Sequence, residues 1–120
     1  YSGEERSFPN QKPEVRAPGV KMFSTASTDI QPPYAYSTGT SDSTVIVVGA
    51  LSIILEIHGE EMRGEDGVFD AGEMEQVKRA LATSSLISQE EDASHHNKRG
   101  YGVLDAVEWL NQVEFEFNIT

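Results

Sequence analysis

Hydrophobic positions are unevenly distributed along the chain, and their pattern predicts short strands followed by helices. The first third is polar and broken by proline, so only short strands are expected there, at residues 15–17, 20–25 and 34–36. Residues 44–57 are almost wholly apolar and follow Ser, Asp and Thr residues of the kind that start helices. Because the run is longer than a normal strand and apolar all round, it predicts a buried core helix.

Two further helices are predicted in the second half of the chain. Residues 74–86 have apolar positions at helical spacing, and Asp70 or Gly72 is expected to cap the start of this helix. Residues 105–113 show the same periodicity. Apolar and polar residues then alternate, so residues 114–120 predict a terminal strand or tail.

Composition narrows the class of protein. The 120 residues suffice for one ordinary domain. The formal net charge of −11 repels phosphate groups, so the sequence argues against binding to nucleic acid or to an anionic membrane. Cysteine is absent, which excludes disulfides, a thiol nucleophile and thiolate metal ligands within these residues. No apolar run reaches the roughly 20 residues of a membrane helix, so no membrane span is predicted.

The most informative motif for chemistry is G-T-S-D-S at residues 39–43, where the long apolar helix is expected to begin. A serine at a helix N-terminus is well placed for acyl transfer, because backbone N–H groups and the helix dipole stabilise a developing oxyanion. Serine and threonine are also ordinary helix caps, so the motif alone leaves a structural role open.

Three segments together resemble the C-terminal part of a subtilisin-like serine protease, a subtilase. K-P-E-V-R-A-P-G-V at 12–20, followed by S-T-A-S at 24–27, is similar to the family's P-x-V-x-A-P-G-V strand and turn. The block that starts with G-T-S at residues 39–55 is similar to the segment around the family's nucleophile. G-Y-G-V-L-D-A at 100–106 is similar to the block near the end of the catalytic domain, and Q-V-K at 76–78 begins a matching helix.

The resemblance implies a fold and a function. The fold would be α/β, the subtilisin-like three-layer arrangement with a mostly parallel sheet, of which residues 1–120 form the C-terminal portion. Ser41 would be the nucleophile of a serine endopeptidase, with its own backbone N–H as an oxyanion donor and Thr40 beside it. The family's Asp, His and oxyanion Asn precede this serine, so an upstream segment or a partner chain would supply them to act on a polypeptide substrate. The resemblance also implies an extracellular or cell-surface location.

Metal ions and cofactors are not required for this chemistry. Subtilases often bind structural calcium, but at sites that this segment does not match. Residues 66–73 resemble the second half of a calcium loop, yet Met62 and Gly64 stand where its first carboxylates are required, which favours an acidic surface loop.

Two alternatives remain at this point. The family usually has proline four residues after the nucleophile, where this chain has Val45, so a catalytically inactive subtilase-fold module in a larger assembly is the second hypothesis. A hydrolase of the opposite order would use the pair His95-His96 with Asp70 or Asp92 as the acid, but its G-x-S-x-G elbow is broken by Ser43.

Overall fold

The computed structural model describes residues 6–27, 29, 31–85, 95 and 100–119. Within these residues there are two strands and three helices, which are, in chain order, β1 (Met22–Thr25), β2 (Tyr34–Ser37), α1 (Thr40–His58), α2 (Ala71–Ser84) and α3 (Ala106–Glu116).

The two strands form an antiparallel ribbon that leads directly into α1. Phe23 pairs with Tyr36 and Thr25 with Tyr34, so the aromatic rings share one face, where Phe23 stacks on Tyr34 at a centroid distance of 5.5 Å. The predictions of strands at 20–25 and 34–36 are therefore confirmed in outline. The strand expected at 15–17 is reduced to a single parallel bridge between Arg16 and Val103. A mostly parallel three-layer sheet thus stays a prediction.

The core lies between α2 and α3, with one face of α1 against it. Its largest buried side chain is Trp109, whose indole N–H donates to the carbonyl oxygen of Val77 at 3.2 Å. This bond satisfies the one polar atom of a buried tryptophan and ties α3 to α2. The other buried members of this cluster are Ala50, Ile54, Met62, Ala80, Leu81 and Val113.

The long apolar helix exists as predicted, and most of its surface is exposed. In α1 only Ala50 and Ile54 are buried, and they lie on the face that packs against α2 and α3. The rest of the helix surface carries exposed apolar side chains, namely Val45, Ile46, Val48, Ile53, Leu55 and Ile57. A core helix is expected in a complete fold, and residues 1–120 in isolation are expected to expose its faces; no described element covers this surface, so full burial of α1 stays a prediction.

The terminal strand expected at residues 114–120 is wrong for residues 114–119, which form the end of α3 and a turn. α3 continues through Glu116, and its C-terminal end is closed by the N–H of Phe117, which donates to the carbonyl oxygen of Val113 at 3.0 Å. Val113 and Phe117 are four residues apart, so both face the core from a helix. Among the described residues, the only sheet is the β1–β2 ribbon, and this segment does not pair with it. Packing against the core therefore determines the conformation here, and the alternating pattern does not.

Asp70, one of the two residues predicted to cap α2, is the N-cap of this helix. Its side chain accepts hydrogen bonds from the N–H groups of Gly72 and Glu73 at 2.9 and 3.3 Å.

We expect Asp70→Ala to lower the free energy of unfolding by about 1 kcal/mol, because the N–H groups of Gly72 and Glu73 lose their acceptor. Urea denaturation followed by circular dichroism measures the change. Asp70→Asn keeps an acceptor and should lose much less, and equal losses in both variants would contradict the capping role.

Glu14 connects three parts of the chain. Its carboxylate contacts the ammonium groups of Lys12 and Lys78, the latter at 3.4 Å, and its carbonyl oxygen accepts from the N–H of Tyr101 at 2.6 Å. Burial raises the pKa of Glu14, but the hydrogen bond and charge of Lys12 and the charge of Lys78 outweigh it, so the net pKa lies below its usual value of 4.5.

The lowered pKa of Glu14 gives a pH-dependent stability. The contribution is fully present above the unfolded pKa and is lost as the pH falls through the lower folded pKa. Glu14→Gln should therefore cost about 1 kcal/mol at about pH 6, and the difference from wild type should shrink towards about pH 3. Glu65→Gln, in the exposed loop before α2, is the matched control and should show neither effect. A Glu14→Gln difference that stays constant with pH would exclude this role.

Candidate functional site

The candidate site is the N-terminus of α1. Its N-cap is Gly39, whose extended backbone turns the chain from β2 into the helix, and whose carbonyl oxygen accepts from the N–H groups of Asp42 and Ser43 at 3.2 and 3.4 Å. Ser41 is therefore the second residue of the helix and not its cap. Its side chain is exposed, as is that of Thr40.

The hydroxyl groups of Ser43, Ser37 and Thr44 near Ser41 are hydrogen-bonded, whereas those of Ser41 and Thr40 have no partner among the described residues. Ser43 donates to the carbonyl oxygen of Ala17 at 3.1 Å, Ser37 donates to Asp42 at 3.0 Å, and Thr44 donates to the carbonyl oxygen of Thr40 at 2.9 Å. Among the described residues, the Ser41 hydroxyl has no hydrogen-bond partner, and it makes no capping bond. The structural alternative, in which this serine serves as a helix cap, is wrong for Ser41.

The backbone around Ser41 provides unpaired donors. Neither the Thr40 N–H nor the Ser41 N–H has an acceptor in the part of the chain that the structure describes. Unpaired N–H groups in the first turn of a 19-residue helix carry the positive end of its dipole. A negatively charged oxygen placed over this turn would be stabilised there. The arrangement combines a free hydroxyl with donors suited to an oxyanion.

The three segments that carry the family resemblance contact one another. The Arg16 N–H donates to the carbonyl oxygen of Gly102, and the Leu104 N–H donates to the carbonyl oxygen of Arg16, both at 2.8 Å. The Gly39 N–H donates to the carbonyl oxygen of Gly19 at 2.8 Å. The first segment therefore lies between the helix start and the last segment, although Arg16 and Gly102 are 86 residues apart in the sequence.

The described histidines are engaged away from Ser41. His58 stands at the other end of α1, about 26 Å along the helix axis from Ser41, and its Nε2 contacts Glu114 at 2.9 Å. The Nε2 of His95 contacts the carbonyl oxygen of Pro13 at 2.7 Å, and its ring packs edge-on against Tyr101. A hydrolase of the opposite order loses support, since Asp70, one of its two candidate acids, caps α2. His96 and Asp92 lie outside the described residues.

Two carboxylates in the acidic segment between α1 and α2 accept hydrogen bonds from nearby backbone N–H groups. Asp66 accepts from the N–H of Val68 at 2.9 Å, and Asp70 serves as the N-cap of α2. No group of three or more His, Asp or Glu side chains among the described residues could hold a metal ion. The similarity of residues 66–73 to a calcium loop is therefore not accompanied by a set of ligands.

Sequence reasoning missed the contacts that fix this helix start. The sequence places Ser43 among the polar residues that begin the helix, but its hydroxyl donates to the carbonyl oxygen of Ala17, 26 residues earlier in the chain. Gly19 lies so close that an added Cβ would collide with the Ser43 hydroxyl and approach the Gly39 carbonyl oxygen to 2.8 Å. The A-P-G triplet at residues 17–19 was a signal for a turn, but not for the segment against which this turn packs.

α1 is long and apolar enough, by length and composition, to cross a membrane. This is a weak indication, because core helices of soluble proteins meet the same criterion. The absence of a membrane span stays a prediction.

Comparison with known proteins provides no family assignment. No protein-family model, no curated protein and no solved structure matches the chain.

Proposed function

We propose that this chain is the nucleophile-bearing C-terminal portion of a subtilisin-like serine endopeptidase. Ser41 attacks the carbonyl carbon of a peptide bond and forms an acyl-enzyme that water then hydrolyses. An upstream segment or a partner chain supplies the histidine that takes the hydroxyl proton, the aspartate that orients it and the oxyanion asparagine. The observation that carries the proposal is the exposed, unbonded Ser41 hydroxyl beside two unpaired N–H groups.

The packing of the three resembling segments supports this proposal. Segments 12–20, 39–55 and 100–106 were selected on sequence alone, and they are joined by backbone hydrogen bonds at the helix start and at the Arg16 bridge. The bridge is parallel, which is the strand direction that the family's sheet requires. The contacts give the matched segments a common structural context, which a motif match requires.

The exposed face of α1 also supports a missing part of the fold. Soluble proteins rarely leave a contiguous row of valine, leucine and isoleucine side chains in water. Val45, Val48 and Ile53 are each more than half exposed, at 63%, 53% and 60%. In the proposed protease this surface packs against the sheet that carries the other catalytic residues, so the same contact buries the helix and completes the site.

The second candidate is an inactive module with the same fold, and Val45 favours it. Because α1 begins at Thr40, this position lies in the second turn of the helix, where a proline would remove a helical N–H donor and a valine keeps it. Val45 keeps the helix but departs from the family pattern. In this alternative the α1 face docks in the same way, and Ser41 attacks nothing.

The discriminating experiment begins with the polypeptide that accompanies this chain in its native source. The native assembly is purified, its upstream or partner sequence is determined, and its hydrolysis of denatured casein is measured with and without phenylmethylsulfonyl fluoride. The proposal expects an aspartate, a histidine and an asparagine in that order, and hydrolysis that the inhibitor stops. An upstream sequence without the histidine or the aspartate would establish the inactive module instead.

A further inference from the structure

The start of α1 is held from both sides of Ser41 by the loop at residues 17–19. Two residues before Ser41, the Gly39 N–H donates to the carbonyl oxygen of Gly19 at 2.8 Å. Two residues after it, the Ser43 hydroxyl donates to the carbonyl oxygen of Ala17 at 3.1 Å. Ser41 thus lies between two anchors on the same short loop.

Ser43 does not have the usual task of a serine near a helix start. Such serines accept hydrogen bonds from N–H groups of their own first turn, which here have Gly39 as their cap. The Ser43 hydroxyl instead donates out of the helix to another segment, and its side chain is half-buried against that segment. The contact therefore fixes where the helix lies relative to the loop, and not whether the helix forms.

Gly19 makes this contact possible. A Cβ at residue 19 would collide with the Ser43 hydroxyl and come within 2.8 Å of the Gly39 carbonyl oxygen. The loop backbone therefore approaches the first turn of α1 as closely as a residue without a side chain allows. Such a close approach leaves the helix start little room to shift relative to the loop.

We propose that Ser43 is a positioning residue for Ser41, an inference that rests on the proposed function. Attack on a peptide carbonyl requires the hydroxyl and the oxyanion donors to be held near their productive geometry, and a misplacement of about 1 Å costs about a hundredfold in rate. The Ser43 bond to Ala17 holds the turn that carries both the Ser41 hydroxyl and its N–H. Its loss lets this turn move while the substrate-binding walls stay in place.

The test uses Ser43→Ala in the native assembly. We expect kcat to fall about tenfold, with KM changed less than about threefold, because the interaction acts on the geometry of attack and not on substrate binding. Ser43→Thr keeps a hydroxyl and should restore most of kcat. Thr83→Ala is the control: it removes a hydroxyl from the exposed side of α2, away from the α1 surface proposed to dock, where it bonds the Arg79 carbonyl oxygen at 2.9 Å, and should leave kcat unchanged.

Hydrogen–deuterium exchange of the same variants measures how firmly the loop at residues 17–19 holds the start of α1, independently of activity. In Ser43→Ala, peptides that contain the Gly39 N–H should exchange faster, whereas Thr83→Ala should not change them. Unchanged exchange and unchanged kcat in Ser43→Ala would overturn the positioning role, and so would a kcat loss that Ser43→Thr does not restore. If the wild-type assembly itself shows no serine-dependent hydrolysis, the proposed function fails, and the positioning role fails with it.

Discussion

Replacement of Ser41 by alanine should abolish proteolysis by the complete assembly. In the proposed mechanism the Ser41 hydroxyl forms the bond to the carbonyl carbon of the substrate. Removal of such a nucleophile lowers kcat by about a millionfold in enzymes of this mechanism. KM should change little, because the exposed Ser41 hydroxyl makes no other contact among the described residues. The measurement is the initial rate of hydrolysis of a peptide substrate, compared between wild-type and variant assemblies of equal concentration.

Two checks make this result specific. Thr83→Ala also removes an exposed hydroxyl, on α2 and away from the α1 surface proposed to dock, and should leave the rate within a factor of about two, because this hydroxyl bonds its own helix backbone. Circular dichroism should show equal helix content in both variants. If Ser41→Ala retained the wild-type rate, Ser41 would not be the nucleophile, and the enzyme hypothesis would be abandoned.

Trp109→Ala should be the most destabilising single truncation in the chain. The side chain is 2% exposed, lies in the cluster that joins all three helices and donates to the Val77 carbonyl oxygen at 3.2 Å. The substitution leaves a large cavity and removes the indole hydrogen bond, while the Val77 carbonyl oxygen keeps its place in the helical hydrogen bonding of α2, and the expected cost is about 3–5 kcal/mol. Urea denaturation of the native assembly, followed by circular dichroism, measures the lost free energy of unfolding.

Phe115→Ala is the comparison for that loss. It truncates an aromatic side chain on the same helix, but this ring is 75% exposed and should cost less than about 1 kcal/mol. Trp109→Phe should fall between the two, because it keeps most of the packing and loses the hydrogen bond. Equal losses from Phe115→Ala and Trp109→Ala would show that the core is not where the structure has it.

Local signals in the sequence predicted the helices well. The start of α2 followed from Asp70, and the extent of α1 followed from the apolar run, although the helix begins at Thr40 and not at Thr44. It begins earlier because Gly39 takes an extended conformation that lets it cap the helix. The terminal strand expected at residues 114–120 is not formed by residues 114–119, because Val113 in α3 and Phe117 at its C-cap pack against the core, a contact with distant residues that the alternation pattern does not contain.

The site could be predicted only in part. The free hydroxyl of Ser41 follows from its place just inside a helix, which the G-T-S motif indicated. The bond from Ser43 to Ala17 depends on a loop 26 residues away, so no local pattern reveals it. The surroundings of the exposed α1 face could not be predicted from local patterns, because burial requires a partner surface that the described residues do not provide.

The most direct test of the central claim is chemical labelling of Ser41 in the native assembly. A fluorophosphonate reacts with a serine hydroxyl only when a neighbouring base activates it and an oxyanion site accepts the developing charge. The assembly is treated with such a probe, digested and mapped by mass spectrometry. The account predicts a single phosphonylated residue in this chain, at Ser41. An assembly with its upstream histidine and aspartate present, and with Ser41 unlabelled, would contradict it.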